Sequence, residues 1–128
     1  MIAHTGLPVS NFKKSKEFYT KVLKTVGYEL EMDFEDACGY KEGGHTSFWI
    51  GKEEDVIVPL HVAFEAKDAE SVQAFYETAL AEGGKDNGAP GYRTEYWPGY
   101  YAAFIHDPDG HNIEAVWYDY QKAGELQE

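Results

Sequence analysis

Two histidines and one carboxylate, His4, His61 and Glu114, stand at comparable places in two similar stretches of the chain. Neutral imidazoles and an ionised carboxylate are donors that hold a divalent ion, and three of them leave coordination positions open for water or substrate. Such an ion is a Lewis acid. It would chelate adjacent oxygens of a diol, enediolate or hydroxy-carbonyl and stabilise the negative charge that develops when a neighbouring proton leaves or oxygen attacks. Zn, Ni or Mn would favour proton transfer, and Fe(II) would permit oxygen activation. Glu114, between Ile113 and Ala115, is also the candidate catalytic group, because an isolated carboxylate among apolar residues is costly unless a cation or donors compensate it. Pairing with Arg93 is the non-metal alternative.

Elements that would carry these groups follow from hydrophobic period and punctuation. Ile2 to Pro8 reads as a strand. Ser10 is a plausible cap for a helix from about Asn11 to Thr25 with an apolar stripe of Phe18, Tyr19, Val22, Leu23 and Val26, ended by Gly27. Strands are expected at Tyr28 to Phe34, Ala37 to Lys41 and His45 to Gly51. The second half repeats the order: a strand at Leu60 to Glu65, a helix at Ala69 to Glu82 capped by Asp68, then strands at Tyr92 to Trp97, Tyr100 to Asp107 and His111 to Tyr118. Asp119 to Glu128 reads as a solvated tail or short frayed helix.

A shift of 57 residues places His4 on His61, Phe18-Tyr19 on Phe75-Tyr76, Leu23 on Leu80 and Gly27 on Gly84. Coincidence at one offset across strand, helix and cap indicates one βαβββ unit used twice. The expected fold is therefore α+β: two βαβββ modules, about 1–56 and 57–118, in a single domain with a tail at 119–128, their mixed sheets curled around a central cleft. Side chains alternate along a strand. Ala3, Thr5 and Leu7 then face the helices, as do Leu60, Val62 and Phe64, and Ile113, Ala115 and Trp117. His4, His61 and Glu114 face the other way, toward the cleft.

Composition narrows the class. The net charge of −12 repels phosphate backbones, so nucleic acid is not an expected partner. No apolar run reaches membrane-spanning length, and the first residues lack a secretory pattern, so a cytoplasmic protein is expected. The single cysteine, Cys38, is read as a packing residue on a strand. Among the aromatics, Trp49, Trp97 and Tyr101, with Arg93, are the candidates for gripping a small planar or anionic substrate.

His4-Thr5-Gly6-Leu7-Pro8-Val9-Ser10, Phe18-Tyr19, His61-Val62-Ala63-Phe64 and Asp107-Pro108-Asp109-Gly110-His111-Asn112-Ile113-Glu114 resemble the vicinal oxygen chelate superfamily of glyoxalase I, bleomycin-resistance proteins and extradiol dioxygenases, over essentially the whole chain. Asp86 to Gly91 and Tyr100 to Phe104 further resemble a bacterial glyoxalase-like subgroup. The resemblance implies paired modules around a cleft, metal ligands on the first and last strands, and homodimers. It implies a lyase, isomerase or dioxygenase type of enzyme, or a metal-free drug-sequestering protein like those of bleomycin resistance. A fourth ligand, where such proteins have one, is a Glu on the fourth strand of the first module. Aligning the turn glycines Gly44 and Gly110, 66 residues apart, puts Phe48 opposite Glu114, so this set is incomplete. His45 is a substitute ligand only if that strand is shifted, since it and Phe48 differ in parity. His106 and His111 are read as surface or hydrogen-bonding residues.

Overall fold

The computed structural model describes residues 1–127. Strand β1 (Thr5–Val9) leads into helix α1 (Phe12–Lys24), then β2 (Glu29–Asp33), β3 (Ala37–Glu42) and β4 (His45–Lys52). The second module runs β5 (His61–Glu65), α2 (Ala69–Ala81), β6 (Lys85–Asp86), β7 (Gly91–Tyr92), β8 (Tyr100–His106) and β9 (Asn112–Tyr118), and the chain ends with α3 (Tyr120–Gln127). The sheets have the orders β1-β4-β3-β2 and β5-β9-β8-β6, with β7 beside β8. In each module the first and last strands pair in parallel and the others antiparallel. The α+β architecture of two βαβββ-like modules in mixed sheets is thus the one expected from the repeat.

Helix α1 buries Ser15, Phe18, Tyr19, Val22 and Leu23, spaced by three and four residues as one helical face requires. Its cap is Asn11, whose side chain accepts from Lys14 N, and not Ser10. The Ser10 backbone N–H and hydroxyl instead donate to Asp109 of the second module. Asp68 caps α2 by accepting from Ser71 N. The glycines that turn the chain out of the two helices are Gly27 (φ 89°) and Gly83 (φ 97°), left-handed positions that other residues resist. The repeat therefore slips by one there, since Gly27 was aligned with Gly84.

Both modules share one hydrophobic core on their helix-bearing sides. Leu7, Val9, Phe48, Ile50, Phe64, Ile113 and Ala115 all face it, and Phe48 of β4 packs edge-to-face on Phe64 of β5 with ring centroids 4.9 Å apart. A polar staple closes the seam. Asp107 accepts from the Tyr19 hydroxyl of α1 and from the His111 and Asp109 backbone N–H groups. His111, fully buried, accepts at Nδ1 from Leu60 N and donates from Nε2 to Pro8 O at 2.7 Å. Three segments distant in sequence meet at this ring.

One expected strand differs. Of Tyr92 to Trp97 only Tyr92 is in a strand: Tyr96 and Trp97 both donate backbone N–H to Arg93 O, a tight turn that Pro98-Gly99 permits. Of the two alternatives for the tail, 120–127 takes the short helix, and Ala123 within it is buried. No helix among the described residues is long and apolar enough to cross a membrane.

Candidate functional site

Residues paired directly across a sheet share a face, so the pairing registers decide what stands on the side away from the helices. In the second sheet His61 pairs with Asn112 and Ala63 with Glu114. Across β8, Phe104 pairs with Glu114, Ala102 with Val116 and Tyr100 with Tyr118. The open face of this sheet therefore carries His61, Glu114, Phe104, Tyr100 and Tyr118 together. Glu114 is only 2% exposed. His61 donates from Nε2 to Glu114 Oε1 at 2.9 Å, and the Tyr100 hydroxyl donates to Oε2. Burial, and then the bond to Glu114, push the Tyr100 hydroxyl pKa well up, so it remains a donor. The compensation that a buried carboxylate demands is thus supplied by a tyrosine and a half-exposed histidine.

Arg93 is not the partner of Glu114. Its two terminal nitrogens donate to Gly91 O and Ala89 O, at 2.8 and 2.7 Å, and its guanidinium lies over the Phe104 ring. Trp97 packs edge-on against Tyr118 and Tyr120. Tyr118 in turn touches Tyr100, and Tyr100 touches Tyr96, so an aromatic wall rises beside the Glu114–His61 pair. Tyr101, expected at the pocket, lies on the helix side, where its hydroxyl accepts from Gln73 Nε2 of α2 and its ring meets Trp117. Its neighbour Tyr100 stands where Tyr101 was expected. Adjacent tyrosines at a strand start differ by one in parity, and Gly99 gives no clue to which begins the alternation.

The first sheet has no comparable pair. Gly6 pairs with Trp49 as Ala63 pairs with Glu114, so the residue equivalent to Glu114 is Trp49 and not Phe48. Phe48 is 1% exposed and belongs to the core. The turn-based alignment fails because β4 bulges: Lys41 pairs with Thr46 but Tyr40 with Phe48, leaving Ser47 as an extra residue. The bulge also turns His45 onto the side of Glu42, its pairing partner, and away from Trp49; its Nε2 bonds to Ala3 O at 3.0 Å. His45 is thus not presented beside Trp49. Cys38 is buried, and burial raises its thiol pKa, the environment of an inert packing residue.

His4 precedes β1 and is exposed. It does not join His61 and Glu114, and among the described residues no group of three or more His, Cys, Asp or Glu is close enough to hold a metal ion. Of the three residues expected to hold a divalent ion, His61 and Glu114 converge within one chain and His4 stands apart from them. A groove of about 650 Å³ between the end of α1 and the start of α2, lined by Lys24, Tyr28, Glu42, Glu65, Lys67 and Ser71 among others, contains none of these groups.

Known structures share this arrangement of elements. A glyoxalase/bleomycin resistance protein from Albidiferax ferrireducens T118 superposes with a TM-score of 0.80 at 26% identity, covering 91% of this chain and 98% of its own. A glyoxalase/bleomycin resistance protein/dioxygenase family enzyme from Burkholderia phytofirmans PsJN gives 0.72 at 14% identity, over 92% and 98%. A putative glyoxalase from Bacillus halodurans gives 0.71 at 22%, over 91% and 95%. None of the curated protein sequences matches this chain. Residues 1–115 match the sequence pattern of the Glyoxalase/Bleomycin resistance protein/Dioxygenase superfamily, and with the paired βαβββ modules already described the chain belongs to that superfamily.

Proposed function

We propose that the chain is a divalent-metal enzyme of the lyase, isomerase or dioxygenase type, acting on a small oxygenated metabolite, and that it works as a homodimer. The observation that carries this reading is the meeting of His61 Nε2 and Glu114 Oε1 at 2.9 Å on the open face of the second sheet. In this reading the ion is Zn, Ni, Mn or Fe, held by His61 and Glu114 of one chain and His4 of a second copy. When bound it supplies Lewis-acid stabilisation of adjacent substrate oxygens. The chain's own residues do the rest. Tyr100 holds Glu114 Oε2, which fixes the rotamer of the carboxylate and leaves Oε1 as its working atom. Glu114 is the group able to take and return a substrate proton, and the Tyr96-Tyr100-Tyr118 wall keeps water from one side of it. Trp49, Trp97 and Tyr96 are the proposed substrate-facing side chains; Arg93 acts by holding the 89–93 loop.

The test is metal content of protein purified without chelator, followed by calorimetric titration with Zn²⁺, Ni²⁺, Mn²⁺ and Fe²⁺. One ion per chain is expected, with affinity falling at least about tenfold in His61→Ala, Glu114→Gln and His4→Ala alike. No uptake by the unmodified protein would sink the enzymatic reading. A second reading, a metal-free small-molecule binder, is favoured by one specific fact: both oxygens of Glu114 already have protein donors. Saturable ligand binding without metal, insensitive to added ions, would establish it instead.

A further inference from the structure

The first sheet presents something different on its own open face. Trp49 is flanked on both neighbouring strands by glycine, Gly6 on β1 and Gly39 on β3. A Cβ placed on Gly39 would lie 2.9 Å from the indole and 2.4 Å from Thr46 Cγ2. The indole therefore lies down over Gly39, and only glycine allows it. Phe34 stands alongside with its ring parallel to within 9° and its centroid 6.3 Å away, and 60% exposed. Beyond the indole the floor stays low: a Cβ on Gly51 would meet nothing within 4 Å. A shallow cavity of about 260 Å³, lined by Gly6, Pro8, Ala37, Trp49, Gly51 and Lys52 among others, occupies that space. Its volume and flat base suit one or two fused rings.

Charge defines the ligand further. Among the described residues, the two lysines on the strands of this sheet are each matched by a carboxylate: Lys41 by Glu31 and Lys52 by Glu54. Neither is left free to receive an anion, and the chain carries a net charge of −12, so a negatively charged ligand would approach against the field.

We propose that Trp49 and Phe34 form a stacking platform that binds the planar aromatic ring of a small molecule bearing no negative charge. The proposal rests on the reading that this chain binds a small molecule, and names its class. The position equivalent to Glu114 has become an aromatic shelf: one half of the duplicated unit supplies donors, and the other supplies a flat apolar surface.

The platform can be tested apart from any metal by titrating the full-length protein with 2-naphthol, whose single hydroxyl cannot chelate. Binding is followed by fluorescence, with decahydro-2-naphthol and naphthalene-2-sulfonate as the saturated and anionic comparisons. Saturable binding of 2-naphthol is expected, at least tenfold tighter than either comparison. Trp49→Ala and Phe34→Ala should each weaken it at least tenfold at unchanged sedimentation, whereas a His61→Ala/Glu114→Gln double variant should retain it. Equal binding of the saturated or anionic compound, or unchanged affinity in Trp49→Ala, would overturn the platform. So would Trp49→Ala dissociating an oligomer while 2-naphthol fails to bind the unmodified protein, which would make the face a contact between copies. Metal uptake intact with 2-naphthol binding absent would remove the platform alone; the converse would remove the metal reading alone.

Discussion

At the scale of single residues the decisive arrangement is the row Tyr100–Glu114–His61. A buried carboxylate that loses a donor keeps its desolvation cost, typically about 1–3 kcal/mol. Tyr100→Phe should therefore lower unfolding free energy by about that much in urea denaturation, and free Oε2 to rotate. Tyr92 offers a pH test. The Asp119 carboxylate accepts from its hydroxyl and, chiefly through that bond, pushes the Tyr92 pKa from its ordinary 10.0 up to about 12. A raised phenol pKa means that stability from this bond is intact below pH 10 and is lost as pH climbs to about 12. Absorbance titration at the tyrosinate band should show several late-titrating phenols, one of which moves back toward the ordinary range in Asp119→Asn.

At the scale of elements, the Asp107–His111 turn holds β1, α1 and the start of β5 together. Replacing His111 by Ala leaves Leu60 N and Pro8 O without partners beneath a buried seam. A loss of about 2–4 kcal/mol is expected, with amide exchange accelerating first at residues 58–61 and 107–112 as the two modules part locally. The β4 register makes a sharper prediction. Phe48→Glu places a charge in the core and should abolish cooperative unfolding, whereas Trp49→Glu stands on the open face and should fold with a melting temperature within a few degrees of the original.

Those same elements show how much the sequence disclosed. The faces of β1, β5 and β9 were legible because each alternates apolar with small or polar residues, and so the shared face of Glu114 and His61 could be read. The Ser47 bulge was not legible, because an unpaired residue leaves no mark on composition, and it displaced Phe48 for Trp49. Tyr100 was missed since two adjacent tyrosines offer either parity. Arg93 looked free because backbone carbonyls of its own loop, which captured it, have no signature in residue type.

On the scale of the whole molecule, the two modules spend their helix-bearing faces on each other. One core runs from Phe18 through Phe48 and Phe64 to Ile113, so both open sheet faces look outward and the three proposed ligands divide between them. If the set is completed by a second copy, mixing inactive His4→Ala with inactive His61→Ala chains should restore one competent site in every mixed dimer. Metal stoichiometry should recover to about a quarter of the original for statistical exchange, one intact pair among the four pairings of ligand halves. A mixture that binds no ion while each parent still dimerises would refute the shared arrangement.

Ser47 has one more bearing on how this protein is able to change. Because the bulge sits between the hairpin turn and Trp49, removing that residue would leave the pairing of His45 with Glu42 and Thr46 with Lys41 in register, with His45 on the side of Phe48 and Thr46 on the side of Trp49 as before. The imidazole would stay away from the aromatic side. A three-nucleotide deletion at Ser47 is thus a change the strand can absorb without moving a coordinating group, and its cost falls on the rim of the sheet.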